Sequence, residues 1–259
     1  MGSVGLMATL DGRHALVTGG GRGIGRAIAK ALSDAGATVS VLGRQEVALK
    51  DAVSAGEAKG YVIADVTDEA AVDAAVEQAV AARGPVDILI ANAGTAVSVP
   101  FAKSSNAQFR DMFELNVMGV VHATRAVLGD MTKRGFGRIV VNSSVAGLKG
   151  YAYVTAYCMA KHAVVGFVRA LAQETVKSGV TVNAVCPGYT DTDLVQASFV
   201  HVIEKTGRTR EQALAAMLKD KPISRLITPE EVASAVLYLC SDGASAITGT
   251  TLTVAGGEI

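Results

Sequence analysis

The sequence predicts an α/β fold with a doubly wound parallel sheet of about seven strands and helices on both faces. Three observations carry this: short apolar runs that do not alternate with polar residues, longer intervening segments with helical period, and no internal repeat or low-complexity linker. The runs are HALVT (14–18), TVSVL (38–42), GYVIA (60–64), VDILIA (86–91), RIVVNSS (138–144), VTVNAVC (180–186) and TTLTVA (250–255). Strands apolar on both sides must be covered on both sides, which only intervening helices can do. A glycine loop follows the first strand and opens a helix reaching about Ala35. Asp68 is placed to cap an alanine-rich helix that ends near Arg83. A long helix is expected from about Tyr157 to Lys177, and another from Pro229–Glu230 to Cys240.

A chain of 259 residues suits one large domain better than two small ones, here expected over 11–259. Residues 1–10 read as a disordered or appended lead, with Met7 as the native start. The segment 193–225 interrupts the strand–helix alternation and reads as an insertion over the sheet edge. Half of the residues are hydrophobic and 19% are charged, enough apolar material for a sizeable core. Lys+Arg and Asp+Glu balance at 24 each, which excludes the basic excess that nucleic acid or an acidic membrane surface would demand. The three cysteines (Cys158, Cys186, Cys240) are far apart and lack metal-ligand spacing, which points to a reducing, cytoplasmic setting. The four histidines (His14, His122, His162, His201) show no metal spacing either. No metal site, membrane span or secretory signal is expected.

Thr18-Gly19-Gly20-Gly21-Arg22-Gly23-Ile24-Gly25 lies between the first strand and the first helix. Glycines there let the backbone turn tightly and approach a pyrophosphate, whose charge the helix N-terminus favours. No lysine followed by Ser or Thr completes a phosphate loop, so nucleotide hydrolysis is disfavoured.

This TGxxxGIG loop resembles that of the short-chain dehydrogenase/reductase family, in its compact single-domain branch, with its Rossmann-like fold. Further motifs agree in order and spacing from about Leu10 to Gly257. Asp65-Val66 follows the third strand. Asn92-Ala93-Gly94 follows the fourth, with Ala91 in place of the family's first asparagine. Asn116 lies in the next helix, Ser144 ends the fifth strand, and Tyr157 to Lys161 gives YxxxK thirteen residues later. Pro187-Gly188 follows the sixth strand, with Thr190 and Thr192 just after, and ITGTTLTVAGG (247–257) is similar to the family's closing strand. The resemblance implies that Asn116, Ser144, Tyr157 and Lys161 are catalytic. It assigns the cofactor to Gly19, Gly21, Gly23, Ile24, Gly25, Asp65, Val66, Asn92, Ala93, Gly94, Tyr157, Lys161, Pro187, Gly188, Thr190 and Thr192, to which the charges of Arg22 and Arg44 add two further candidates.

The chemistry of these residues is consistent with that assignment. Hydride transfer to a carbonyl leaves an alkoxide, which needs a proton and stabilisation as charge develops. Tyr157 and Lys161 are i and i+4 on a helix and share a face. An ammonium beside the phenol, together with the positive nicotinamide of an oxidised cofactor, favours the phenolate and lowers its pKa from about 10. By the resemblance, Tyr157 donates or accepts the proton, Ser144 hydrogen-bonds the substrate oxygen, and Asn116 supports a water relay to Lys161. Cys158, the neighbour of the tyrosine, faces another direction and is read as packing.

Arginine accommodates the 2′-phosphate of NADP, whereas an acid about 20 residues after the glycines binds the NAD ribose. The second strand ends Leu42-Gly43-Arg44 with no acid at that position, and Arg22 supplies a second cation. NADP(H) is therefore the expected cofactor, with NAD(H) the alternative through Glu46 or Asp51. The 193–225 segment is expected to be a substrate lid, mixing apolar Leu194, Val195, Phe199, Val202, Met217 and Leu218 with basic Lys205, Arg208, Arg210, Lys219 and Lys221. The 143–166 stretch looks like that of 3-oxoacyl-thioester reductases and hydroxyacyl-CoA dehydrogenases. The small-molecule substrate is accordingly a ketone or an acyl thioester, with an NAD-dependent secondary alcohol dehydrogenase as the competing reading and a catalytically silent nucleotide-binding protein as the third. A homodimer or homotetramer is implied, with Phe167, Val168, Leu171 and Ala172 as candidate interface positions.

Overall fold

The computed structural model describes residues 9–193, 195–196, 207, 209–219 and 221–259. Seven parallel strands form one sheet in the order β3-β2-β1-β4-β5-β6-β7: β1 His14–Thr18, β2 Thr38–Gly43, β3 Gly60–Ile63, β4 Ile88–Ala91, β5 Gly137–Asn142, β6 Val180–Pro187 and β7 Thr251–Val254. The chain winds outward from β1 to β3, then crosses to β4 on the other side of β1 and winds the opposite way. Loops leaving β1 and β4 therefore diverge at their C-terminal ends and open a crevice there.

Helices α1 (Gly23–Asp34) and α2 (Glu46–Ser54) cover one face together with α8 (Pro229–Cys240). Helices α3 (Glu69–Arg83), α5 (Gly119–Arg134) and α6 (Thr155–Thr175) cover the other. The strands are apolar throughout because each pleat has a core to enter: Leu16, Leu89 and Ile139 pack towards α3, α5 and α6, while Ala15, Val17, Ile88, Ile90 and Val140 pack towards α1 and α8. Asp68 caps α3 by accepting from the Ala71 amide at 3.1 Å, as its sequence position predicts. Thr228 and Glu231 form a capping box at the start of α8, with Pro229 in its first turn.

Several boundaries differ from the pattern. β4 begins at Ile88 rather than Val86; Asp87, just ahead of it, still bonds through its backbone to His14 and Arg138 while its side chain pairs with Arg13 and Arg134. β5 stops at Asn142, so Ser144 lies beyond the strand and caps a 3-10 turn (Val145–Gly147), accepting from the Ala146 amide at 3.1 Å. The long helix α6 starts two residues ahead of Tyr157. Asn116 sits in a π-helical turn (Glu114–Met118) that joins α4 (Asn106–Phe113) to α5.

Of the proposed interface positions, Val168, Leu171 and Ala172 are buried in the chain's own core and Phe167 packs against it. A helix that lies along the sheet spends its broad apolar stripe on the sheet. Cys158 is buried and in no disulfide among the described residues. Within 193–225, α7 (Arg210–Leu218) is capped by Thr209; the flanking residues Thr190 and Ile227 pair in a parallel bridge. Leu194, Phe199, Val202, Lys205, Arg208 and the residues 1–8 lie outside the described residues. Among the described residues, no helix is long and apolar enough to cross a membrane, and no group of three or more His, Cys, Asp or Glu could hold a metal ion.

Candidate active site

A cleft of about 670 Å³ opens at the C-terminal ends of the strands and runs across the β1/β4 reversal. All of the residues assigned to catalysis or cofactor binding line it, from the glycine loop at one end to Tyr157 and Lys161 at the other.

The loop after β1 is held by Thr18, Asn92 and Asn142, of which the sequence singled out only Asn92 as a site residue. The Thr18 hydroxyl accepts from the amides of Asn92 and Ala93 at 2.9 and 3.0 Å, which ties the β1 loop to the β4 loop. Asn92 donates from its amide nitrogen to the Thr18 carbonyl at 2.9 Å and accepts from the Asn142 side chain at 2.8 Å. Gly19 and Gly23 adopt left-handed φ of 66° and 53°, where a side chain is strained. A Cβ on Gly25 would fall 2.3 Å from the Gly19 carbonyl oxygen, so only glycine lets α1 start this close beneath its own loop. No side chain caps α1, and its first turn carries no acid. The first-turn amides, which no side chain among the described residues caps, lie beside Arg22 and suit an anion. The arrangement fits a dinucleotide's pyrophosphate.

At the outer end, Arg44 and Asp65 face each other: the guanidinium donates to Asp65 at 3.2 Å, and Asp65 also accepts from the amide and hydroxyl of Thr67. Arg44 stays two-thirds exposed, with its side chain at 68%. Glu46, the acid weighed for a ribose, is engaged by Lys50 and by the Tyr61 hydroxyl, each at 3.0 Å.

At the inner end, Lys161 is buried and donates to the Asn142 carbonyl at 2.9 Å; its ammonium stands 5.6 Å from the centre of the Tyr157 ring. Burial pulls the Lys161 ammonium down to about 8. Burial pushes the Tyr157 phenol up to about 12, against a hydrogen bond with Ser144 that favours the phenolate. This departs from the simple expectation of a lysine-lowered phenol: desolvation is the largest influence on the phenol, and the Lys161 ammonium donates to Asn142. Asn116 is fully buried, its side chain donating to the carbonyls of Thr95 and Met112, both at 3.1 Å, and accepting from the Thr95 amide at 3.3 Å. A Cβ on Gly94 would fall 2.6 Å from the Asn116 side-chain oxygen and 3.7 Å from the Lys161 nitrogen, which brings Gly94, Asn116 and Lys161 into one corner. Asn142 has a buried side-chain oxygen with no partner among the described residues. Its one available signal was a polar residue closing the apolar stretch Ile139–Val141.

The chain is 39% identical over 251 residues to the 3-oxoacyl-acyl-carrier-protein reductase FabG of Haemophilus influenzae, covering 96% of this chain and 98% of that one. It is 37% identical over 250 residues to the same-named reductase of Escherichia coli, covering 95% and 97%. Among solved structures, a point variant of actinorhodin polyketide ketoreductase with NADPH superposes with a TM-score of 0.90 at 38% identity, covering 97% of this chain and 98% of that chain. Levodione reductase superposes equally well, with a TM-score of 0.90 at 31% identity and coverage of 96% and 98%. The short chain dehydrogenase family matches residues 13–202, and the chain belongs to that family of oxidoreductases.

Proposed function

We propose that the protein reduces a ketone or a 3-oxoacyl thioester with NADPH, using Tyr157 as general acid. The observation that carries this reading is the convergence of Asn116, Ser144, Tyr157 and Lys161 at one end of a cleft whose other end offers uncapped helix amides and two arginines. The nicotinamide supplies the hydride when bound. The chain's own task is to hold and protonate the carbonyl oxygen. Ser144 donates a hydrogen bond to that oxygen, and the Tyr157 phenol, protonated at neutral pH, delivers its proton as charge develops. Lys161 adds a positive charge on the same helical face, and Asn116 holds water between the β4 loop and the lysine. The relatives named for 3-oxoacyl and polyketide reduction support this substrate class.

On this reading the whole of 11–259 is one catalytic domain, 193–225 covers the substrate, and the enzyme is cytoplasmic and works as a homodimer or homotetramer. Light scattering at micromolar concentration checks the assembly, and a monomer there refutes it. The Arg44–Asp65 ion pair favours a second reading, an NAD-dependent secondary alcohol or hydroxyacyl-CoA dehydrogenase, because Asp65 already neutralises part of the charge a 2′-phosphate would use. NADPH oxidation measured with acetoacetyl-CoA, simple ketones and cyclic diketones tests the reading. Tyr157→Phe should lower turnover about 10²- to 10⁴-fold while NADPH still binds. Unchanged turnover in that variant removes Tyr157 from the role.

A further inference from the structure

Glu258 stands one residue from the end of the chain, yet its side chain is only 4% exposed. Its carboxylate is met from separate segments. Tyr151 donates its hydroxyl to Oε1, and the Lys221 ammonium pairs with the same oxygen. Lys149 lies 3.5 Å from that oxygen and donates to the Glu258 main-chain carbonyl at 2.8 Å. Burial favours the neutral acid, but Lys221 and Tyr151 together hold the carboxyl below its usual range, so it is an anion at neutral pH. Lys221, itself 13% exposed, also faces the rings of Tyr151 and Tyr189 at 5.0 Å each. A Cβ on Gly188 would fall 3.3 Å from Glu258 Oε2, so the turn after β6 rests against the same carboxylate.

The segments joined here border the chemistry. Lys149 and Tyr151 lie between Ser144 and Tyr157, in a stretch where Tyr153 holds a left-handed φ of 68° and its carbonyl accepts from the Val99 amide at 2.7 Å. Gly188 lines the cleft, and Lys221 follows α7. One carboxylate thus meets two ammonium groups and a phenol, drawn from the stretch between Ser144 and Tyr157 and from the chain after α7.

We infer that Glu258 is a positioning residue, one that fixes the 148–154 segment and Lys221 against the turn after β6 and so shapes the side of the cleft that receives the carbonyl substrate. This rests on the reading under Proposed function. Glu258→Gln keeps an acceptor for Tyr151 but leaves both lysines without a counter-ion, and Tyr151→Phe removes the phenol donor with no change of charge.

The test uses the full chain with acetoacetyl-CoA and NADPH, together with hydrogen–deuterium exchange of peptides covering 148–154. Glu258→Gln should raise KM for the carbonyl substrate about tenfold, with kcat changed less than about threefold and the Kd for NADPH less than about twofold. Glu258→Asp should recover most of the loss, Tyr151→Phe should shift KM the same way but less, and exchange in 148–154 should quicken about tenfold in Glu258→Gln. A lowered Tm with KM unchanged overturns the inference, because it leaves Glu258 as an anchor for the tail. If the wild type oxidises NADPH with none of the carbonyls, the proposed function falls, and exchange alone decides on Glu258: unchanged rates in 148–154 overturn its role and quickened rates uphold it.

Discussion

Raising the pH should switch off carbonyl reduction by discharging Lys161 rather than by ionising Tyr157. Burial holds the ammonium near 8 and the phenol near 12, so between pH 7 and 10 only the lysine titrates. The sign follows from the charge: the active form carries the proton, so the rate is full below the lysine's value and falls about tenfold for each unit above it. The size of the lysine's contribution can be worked from its position. The ammonium stands 5.6 Å from the ring centre. Across such a distance, at an effective dielectric of about 20, its attraction for developing negative charge is about 3 kcal/mol, or roughly a hundredfold in rate. Lys161→Ala should therefore lower kcat about 10²-fold and abolish the alkaline limb. The assay is NADPH oxidation under saturating cofactor from pH 6 to 10, so that weakened binding does not enter. A wild-type profile flat to pH 10, or an alkaline limb that survives in Lys161→Ala, would falsify the assignment.

Two further outcomes follow from other parts of the fold. Arg44→Asp should weaken NADPH relative to NADH by about 10- to 100-fold, the worth of one or two charge-assisted hydrogen bonds, and fluorescence titration with both cofactors reads it. Equal affinity for the two in the wild type sinks the NADPH preference. His14 is buried, and because the Gly84 carbonyl can only accept, its Nδ1 carries the proton at 2.7 Å from that oxygen and Nε2 accepts from the Ser40 hydroxyl at 2.7 Å. Burial above all lowers its pKa below 6.5, so the folded state binds fewer protons than the unfolded one. Its contribution to stability is complete above pH 6.5 and is lost as pH falls through the lowered value, by at most about 1.4 kcal/mol per unit. Urea midpoints at pH 7 and pH 5 should therefore separate further in the wild type than in His14→Asn. Equal separations count against the histidine.

The strands, the glycine loop and the Tyr157–Lys161 pair were legible because each depends on contacts a few residues apart. A buried parallel strand must read as an unbroken apolar run, and a loop beneath a pyrophosphate must read as glycine. Features assembled from distant segments were not legible. Asn142 reaches both Asn92 and Lys161, and nothing in RIVVN announces either partner. The Arg44–Asp65 pair depends on β2 and β3 being neighbours, and it alters what Arg44 offers a phosphate. The depth of α6 against the sheet decides that Val168 and Ala172 are interior rather than interface. The phenol's upward shift likewise belongs to its surroundings, since spacing reveals the neighbouring cation but not the lost solvent.

The π-helical turn at Glu114–Met118 has one more residue than an α-helical turn would hold, and Asn116 is inside it. Such a turn is what remains when a single residue is inserted into an existing helix and its neighbours keep their places. Deleting one residue there would restore α-helical register at the expense of rotating Asn116 by about 100° around the helix axis, away from Thr95 and the corner it shares with Lys161. On the proposed role of Asn116, the turn gives up helix regularity for the reach of one amide, so restoring the regular helix should stabilise the fold and slow turnover.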